Sequence, residues 1–522
     1  MPPPSFSSQS TIQVHAPRGT IALLKDATQA VYTYLQRGSD GGAAWTALQA
    51  LLADLHLDTD MSDPEWIHAP EPERSGTCES IAERLNVDLM DMHGGADVAC
   101  MLRVVEQAAI LLSPGRLIAH WAHALVFPAL SQSHALSYAD VARAHRLCVY
   151  MMLSVPLEVY DGVQDTHAFR TDVSPASDAA LAFTQSVFML YAEGPVPGRH
   201  PAVASLDTIL SMYSETRPTP FLHHVALTLS PACTPLLHAL ILFLQRHTMH
   251  TYRITSTCLL EQLLALLVTL DGATVVEEGI KCLVMILPHV PYWLSRPESN
   301  KLPALFRLYA HVVTVFVHAN EHVRLLFSTV YGLFPGPFLW FLRAPDACLA
   351  HLGDTMPWDE NDTLPLQRGS DIYLEHHLVH PQLAKHELAP DEPAGRMWQH
   401  SDPADLLAMC QRLYVPTTSI PDRDVPLPMA DESGDARLRS EWRFELYMRE
   451  QLLMHIGCLH RDRIAGTAEE EQQQQLQDTN RMLRTQLQTL QAHMERQRAE
   501  VQAANARHMQ WESELTTKLN TY

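Results

Sequence analysis

The sequence predicts an all-α protein, a HEAT-like α-solenoid followed by an acidic linker and a C-terminal coiled coil. Three observations carry that expectation. Apolar residues recur at helical spacing in successive runs closed by Pro-bearing turns. Alternating strand patterns with turn dipeptides are nearly absent. Near the C terminus, apolar residues repeat every seven positions, the signature of a narrow seam between wound helices.

Composition bounds what such a chain does. With 522 residues, 47% of them apolar, it can bury an extensive core. Its formal net charge of −22 disfavours nucleic acid, because tracking phosphates requires a basic surface. The nine cysteines show no paired CxxC spacing, and residues 1–10 are rich in Pro and Ser rather than apolar. The expectation is therefore reduced, buried thiols in a cytosolic protein. The apolar run 235–243 is short, and 258–270 is interrupted by Glu261 and Gln262, so neither reaches the roughly twenty residues of a membrane span.

Taken in order, residues 1–19 read as a disordered lead and 20–414 as the helical-repeat core. Ile21, Leu24, Ala27, Val31 and Leu35 mark the first helical face, and Trp45, Leu48, Leu51, Leu52 and Leu55 the second. An acidic, Pro-bearing stretch at 58–75 reads as a loop. Helical patterns resume at 81–90 and 98–112, stopping at Ser113, Pro114 and Gly115. Runs 117–130 and 138–153 read as an antiparallel pair, and 161–175 as a polar connector. Helices follow at 179–191 and 203–213. The most hydrophobic helices are expected at 235–244, 257–270, 275–287, 302–317 and 323–334. Helix pairs of this kind bury their faces against their neighbours, as in a solenoid. A compact globular helical domain is the competing architecture, although no strand pattern or cofactor motif supplies a single focus.

Residues 415–438 form the linker, with Pro416, Pro421, Pro426 and Pro428 among acids, a composition that cannot fold alone. Residues 439–522 are expected as the coiled-coil helix. There Leu476, Leu483 and Leu490 occupy d positions, and Leu487, Met494 and Val501 occupy a positions. Asn480 falls at a, where a polar residue sets register at a cost in stability. Such a helix cannot bury its seam alone, so these seven residues are the candidate partner-binding site. The competing reading is a solitary solvated helix rich in Gln and Glu.

The run Val330, Tyr331, Gly332, Leu333, Phe334, Pro335, Gly336, Pro337, Phe338, Leu339, Trp340, Phe341, Leu342, Arg343 resembles the end of the helical core in the hamartin (tuberous sclerosis 1 protein) family. The segment Glu375 to Leu383, with His376, His380 and Pro381, and then Glu387, Leu388 and Trp398, continues the same order. Arg443, Phe444, Glu445, Leu446, Arg449 and Gln451 resemble the start of the family's coiled-coil helix. Physically, Gly332 and Pro335 are expected to break one helix and Phe338, Trp340, Phe341 and Leu342 to seed the next.

The resemblance implies a non-catalytic scaffold that stabilises a tuberin-like GTPase-activating protein and restrains TOR signalling through a Rheb-type small GTPase. It implies self-association through the coiled coil, and points to a TBC-domain subunit and a phosphoinositide membrane as further partners. It implies a cytoplasmic protein held peripherally at the lysosomal or vacuolar membrane. The linker here is shorter than is usual in that family. A vesicle-tethering adaptor or a co-chaperone would share the same layout.

The remaining candidates are weaker. Arg246 and Arg253 flank the most basic local stretch and are the candidate lipid-headgroup residues, against a plain solvated turn. His376, His377 and His380 have ligand-like spacing, but 29 histidines make chance clustering easy. Cys258 and Cys282 read as inert core thiols, and Glu277 and Glu278 as solvated acids. No phosphate loop, GxSxG or HExxH motif is present, so no catalytic residue, metal or cofactor is expected.

Overall fold

The computed structural model describes residues 18–37, 41–57, 75–131, 135–160, 175–193, 203–230, 234–270, 272–296, 301–316, 320–354, 356, 358–384, 398, 401–415 and 432–520. Residues 1–17 of the expected lead 1–19, 58–74 of the loop 58–75, 161–174 of the connector 161–175 and 416–431 of the linker 415–438 lie outside them, while Arg18 and Gly19, expected in the lead, already belong to the first helix. Contacts divide the chain into a body, Met1–Gln451, and a tail, Leu452–Tyr522.

The body is all helical among its described residues, with one isolated antiparallel bridge between His377 and Tyr414. Its first helices are α1 (Arg18–Arg37), α2 (Gly42–Asp54), α3 (Gly76–His93) and α4 (Val98–Leu112). Next, α5 runs as Pro114–Arg116, a π-helical Leu117–Val126 and Phe127–Ser131, and packs against α6 (Tyr138–Leu153) as expected. Then come α7 (Pro175–Glu193), α8 (Val203–Thr216), α9 (Pro218–Thr228), α10 (Thr234–Arg246), a 3-10 segment Thr248–Ser256, α11 (Leu259–Val268) and α12 (Ala273–Ile286). The core closes with α13 (Lys301–Val315), α14 (Glu321–Leu333), α15 (Pro335–Arg343), α16 (Pro345–His351), α17 (Thr363–Leu374) and α18 (Pro403–Arg412).

Local chemistry sets many of these boundaries. Ser75, Asp97, Ser137, Asn320 and Asp402 each cap a helix by accepting a backbone N–H from its first turn. Proline opens α9, α15, α16 and α18, where its missing N–H costs nothing. Ser113, at φ +68°, turns the chain between α4 and Pro114.

Packing produces the solenoid. Helices α9, α11, α13 and α17 lie one against the next in one row, while α10, α12, α14 and α18 form the second. From α9 to α14 each helix thus rests on its next-but-one neighbour, α17 and α18 extend the two rows beyond α13 and α14, and the faces between rows fill one continuous apolar core. Leu24, Ala27 and Val31 are buried as the periodicity required. No single helix among the described residues is long and apolar enough to cross a membrane.

The last element, α19, spans Glu432–Asn520. It therefore begins inside the stretch expected as linker, because 432–438 carries no proline and leads directly into a packed helical face. Ser440, Phe444, Tyr447, Met448 and Gln451 recur at helical spacing and are buried in the body. The expected 438/439 boundary falls within α19, whereas the contact division lies after Gln451. In the tail, Leu452–Tyr522, the helix continues to Asn520 without interruption.

Candidate functional site

The tail holds the seam residues on one uninterrupted helix. Leu476, Leu483, Leu487, Leu490, Met494 and Val501 are 48–63% exposed, and Asn480 is exposed beside them. Burying a leucine of this kind contributes about 1.5–3 kcal/mol.

The body's diagnostic run is structural and can be read atom by atom. α14 ends at Leu333 and α15 begins at Pro335, with the two axes bent by 118°. Pro335 makes this break, as expected, but Gly332 does not. Gly332 lies inside α14, where a Cβ would sit 3.1 Å from the Cα of Cys410 and closer still to its Sγ. It is glycine because α18 passes against that turn. Phe338 and Phe341 then pack on Phe306, and Phe338 also meets Tyr309 and Phe327, which closes the end of the core. Trp340, by contrast, is partly exposed.

Tyr331 organises the segment after α17. Its hydroxyl accepts from the His380 N–H at 2.9 Å and donates to the Leu378 carbonyl at 3.2 Å. His377 is held between the Tyr373 carbonyl, 2.7 Å from Nδ1, and the Ser328 hydroxyl, 2.8 Å from Nε2. The Trp398 indole donates to the Leu333 carbonyl at 2.9 Å. The histidines of this segment are thus packed and hydrogen-bonded across several helices. Among the described residues, no group of three His, Cys, Asp or Glu side chains is placed to hold a metal ion. His224 is also a core residue, within 2.9 Å of the Tyr160 hydroxyl, and Cys258 and Cys282 are buried.

Glu277 and Glu278 correct the sequence reading, which took them as solvated. Both are buried on α12, where they meet the first turns of α19. Lys281, fully buried, places Nζ 3.0 Å from Glu278 and 2.6 Å from Glu441. The other Glu441 oxygen is 3.1 Å from His322 Nε2. Ser440 donates to Glu278, and Arg437 pairs with Glu277 at 2.7 Å. Asn320 donates to Glu277 at 3.0 Å. Burial alone would raise the Glu441 carboxyl, but hydrogen bonds from His322 and Lys281 outweigh it and hold it down to about 2. One sequence signal was available: a lysine three residues after a glutamate in a helix otherwise apolar on that face.

Arg246 and Arg253, the candidate headgroup residues, each reach a neighbouring hydroxyl. Arg246 is exposed at the end of α10 and donates to Ser211 at 2.7 Å, while Arg253 is half-buried and donates to Thr219 at 3.3 Å. A groove of about 590 Å³ lies beside α11 and α13, walled by Trp358 and Val268. Its cations are already matched, Lys301 to Glu261 and Arg307 to Asp354.

No family model matches the chain. Over 82 residues it is 38% identical to the tuberous sclerosis 1 protein homolog of Schizosaccharomyces pombe, a match covering 16% of this chain and 9% of that protein. It is 23% identical to hamartin of Mus musculus over 275 residues, covering 47% and 22%, and 24% identical to hamartin of Homo sapiens over 242 residues, covering 41% and 19%. The chain spans less than a quarter of the length of these curated relatives. A solved TSC1 N-terminal domain superimposes with a TM-score of 0.52 at 18% identity, over 75% of this chain and all of that one. A structure of the TSC1 N-terminal and linker domains gives 0.52 at 17% identity, over 83% of this chain and 99% of that one.

The chain is similar in sequence to the hamartins and shares the all-α fold of the TSC1 N-terminal domain.

Proposed function

We propose that this hamartin relative is a regulatory scaffold without a reaction of its own, which acts by pairing its tail. The exposed heptad seam from Leu476 to Val501 carries this reading. On this reading the seam closes against a second copy and against helices of a tuberin-like GTPase-activating protein. Partner stability follows from that burial, and with it restraint of TOR signalling through a Rheb-type GTPase. A TBC-domain subunit and a phosphoinositide-bearing lysosomal or vacuolar membrane complete the proposed setting, with Arg246 and Arg253 as the headgroup contacts.

The test is co-purification. Full-length chain with Leu483→Asn and Leu490→Asn should lose the tuberin-like protein while its body melts at the parental temperature. Undiminished recovery of that protein would remove the seam from the mechanism. Recovery of a vesicle coat or tether in its place would favour the trafficking-adaptor reading.

A further inference from the structure

Where α8, α10 and the first turns of α19 meet, the body gathers arginines around little opposing charge. On α8, Asp207 and Ser211 are four residues apart and share a face. On α19, Arg439 and Arg443 do the same. The end of α10 is tied to α19 by Gln245, whose side-chain amide donates to Glu450 at 3.4 Å. The next residue, Arg246, reaches across to α8 and donates to the Ser211 hydroxyl at 2.7 Å. Asp207 already accepts from the Tyr191 hydroxyl at 2.5 Å.

Arg443 is the residue this arrangement leaves unsatisfied. It is half-buried, yet among the described residues it makes no hydrogen bond and no ion pair. A guanidinium carries five N–H donors, and withdrawing it from water without partners is costly. Burial lowers its pKa; Asp207 and Tyr191 oppose that, while the charges of Arg246 and Arg439 add to it. Three guanidiniums thus lie within electrostatic reach of one another, with Asp207 as the carboxylate that acts on Arg443. In a chain of net charge −22, such a gathering of cations departs from the general surface.

We propose that Arg443, Arg246 and Arg439, with the Ser211 hydroxyl, form a binding site for a phosphate group. A tetrahedral dianion supplies what the cluster lacks. Its oxygens accept from the idle N–H groups of Arg443 and Arg246, and its charge offsets their mutual repulsion. Arginine suits this better than lysine, because its planar fork grips two phosphate oxygens at once. The Ser211 hydroxyl accepts from Arg246 and keeps its own proton to donate to a further oxygen. A soluble phosphate ester and a lipid headgroup present the same group. The site rests on the membrane reading above only in the headgroup case, where Arg443 and Arg439 join Arg246 in the place given to Arg253.

Calorimetric titration of the full chain with inorganic phosphate, at an ionic strength held constant with chloride, tests the site. Saturable binding is expected. Arg246→Gln, which alters an exposed side chain, and Arg443→Gln should each weaken it about tenfold or more, whereas Arg253→Gln should leave it unchanged. Asp207→Asn should tighten it about threefold by removing the opposing carboxylate, an effect that a purely structural role for these arginines does not produce. No saturable phosphate binding by the wild-type chain, or equal affinity in Arg246→Gln, would overturn the proposal. Flotation with phosphoinositide vesicles then identifies the source. Flotation lost in Arg443→Gln together with phosphate binding assigns a headgroup. Phosphate binding without flotation of the wild-type chain assigns a soluble phosphate and removes the membrane reading alone.

Discussion

Body and tail solve the same problem in opposite ways. In the body, helices offer their apolar faces to neighbouring helices of the same chain, and residues such as Leu264, Leu305 and Leu326 are almost wholly covered. In the tail, leucines of the same chemistry remain about half exposed at a seven-residue period. The contrast teaches that apolar content does not decide the outcome; spacing does. A broad stripe with a 3.6 period is covered within one chain, whereas a narrow 3.5 seam asks for another helix.

Mutations should separate the two regimes. The largest effect belongs to the tail. Replacing Leu483 and Leu490 by Asn should weaken self-association by about 3–6 kcal/mol, a hundredfold or more in Kd, with no change in the body's Tm. Sedimentation equilibrium of the full chain checks it, and an unchanged association constant would break the comparison. Next is the body. Gly332→Ala drives a Cβ against the backbone of α18 and should cost about 1–3 kcal/mol in the melting of the body while leaving association intact. Thermal denaturation followed by circular dichroism distinguishes this from a tolerated change. The smallest effect concerns neither regime. Arg246→Gln with Arg253→Gln should lower flotation with phosphoinositide vesicles by about 1 kcal/mol per arginine and leave Tm and association alone. Equal flotation of variant and parent would dismiss the headgroup assignment.

Much of the solenoid was legible because its signals are local. Pro335 acts within one helical turn, and Leu24, Ala27 and Val31 show their face by spacing alone. What escaped depends on distant partners. Glu277 and Glu278 look like solvent-facing acids until Arg437 and Ser440 arrive from about 160 residues away. Gly332 reads as a helix breaker because nothing near it in sequence announces Cys410. The start of α19 was set too late for the same reason: its first turns are ordered by α12, not by their own composition. The seven-residue spacing is legible as a pattern, since a heptad is a local property, but whether a second helix covers it is not written beside it.

The close passage of α18 over Gly332 has one more consequence. Cys410 is completely buried there, its Sγ facing the Thr329 carbonyl at 3.8 Å, and burial pushes the thiol up to about 12. A thiol in that state meets no maleimide, and at neutral pH it supplies almost no thiolate to attack one. Alkylation of Cys410 therefore requires α14 and α18 to part, and its rate is a native stopwatch for how often the end of the solenoid breathes.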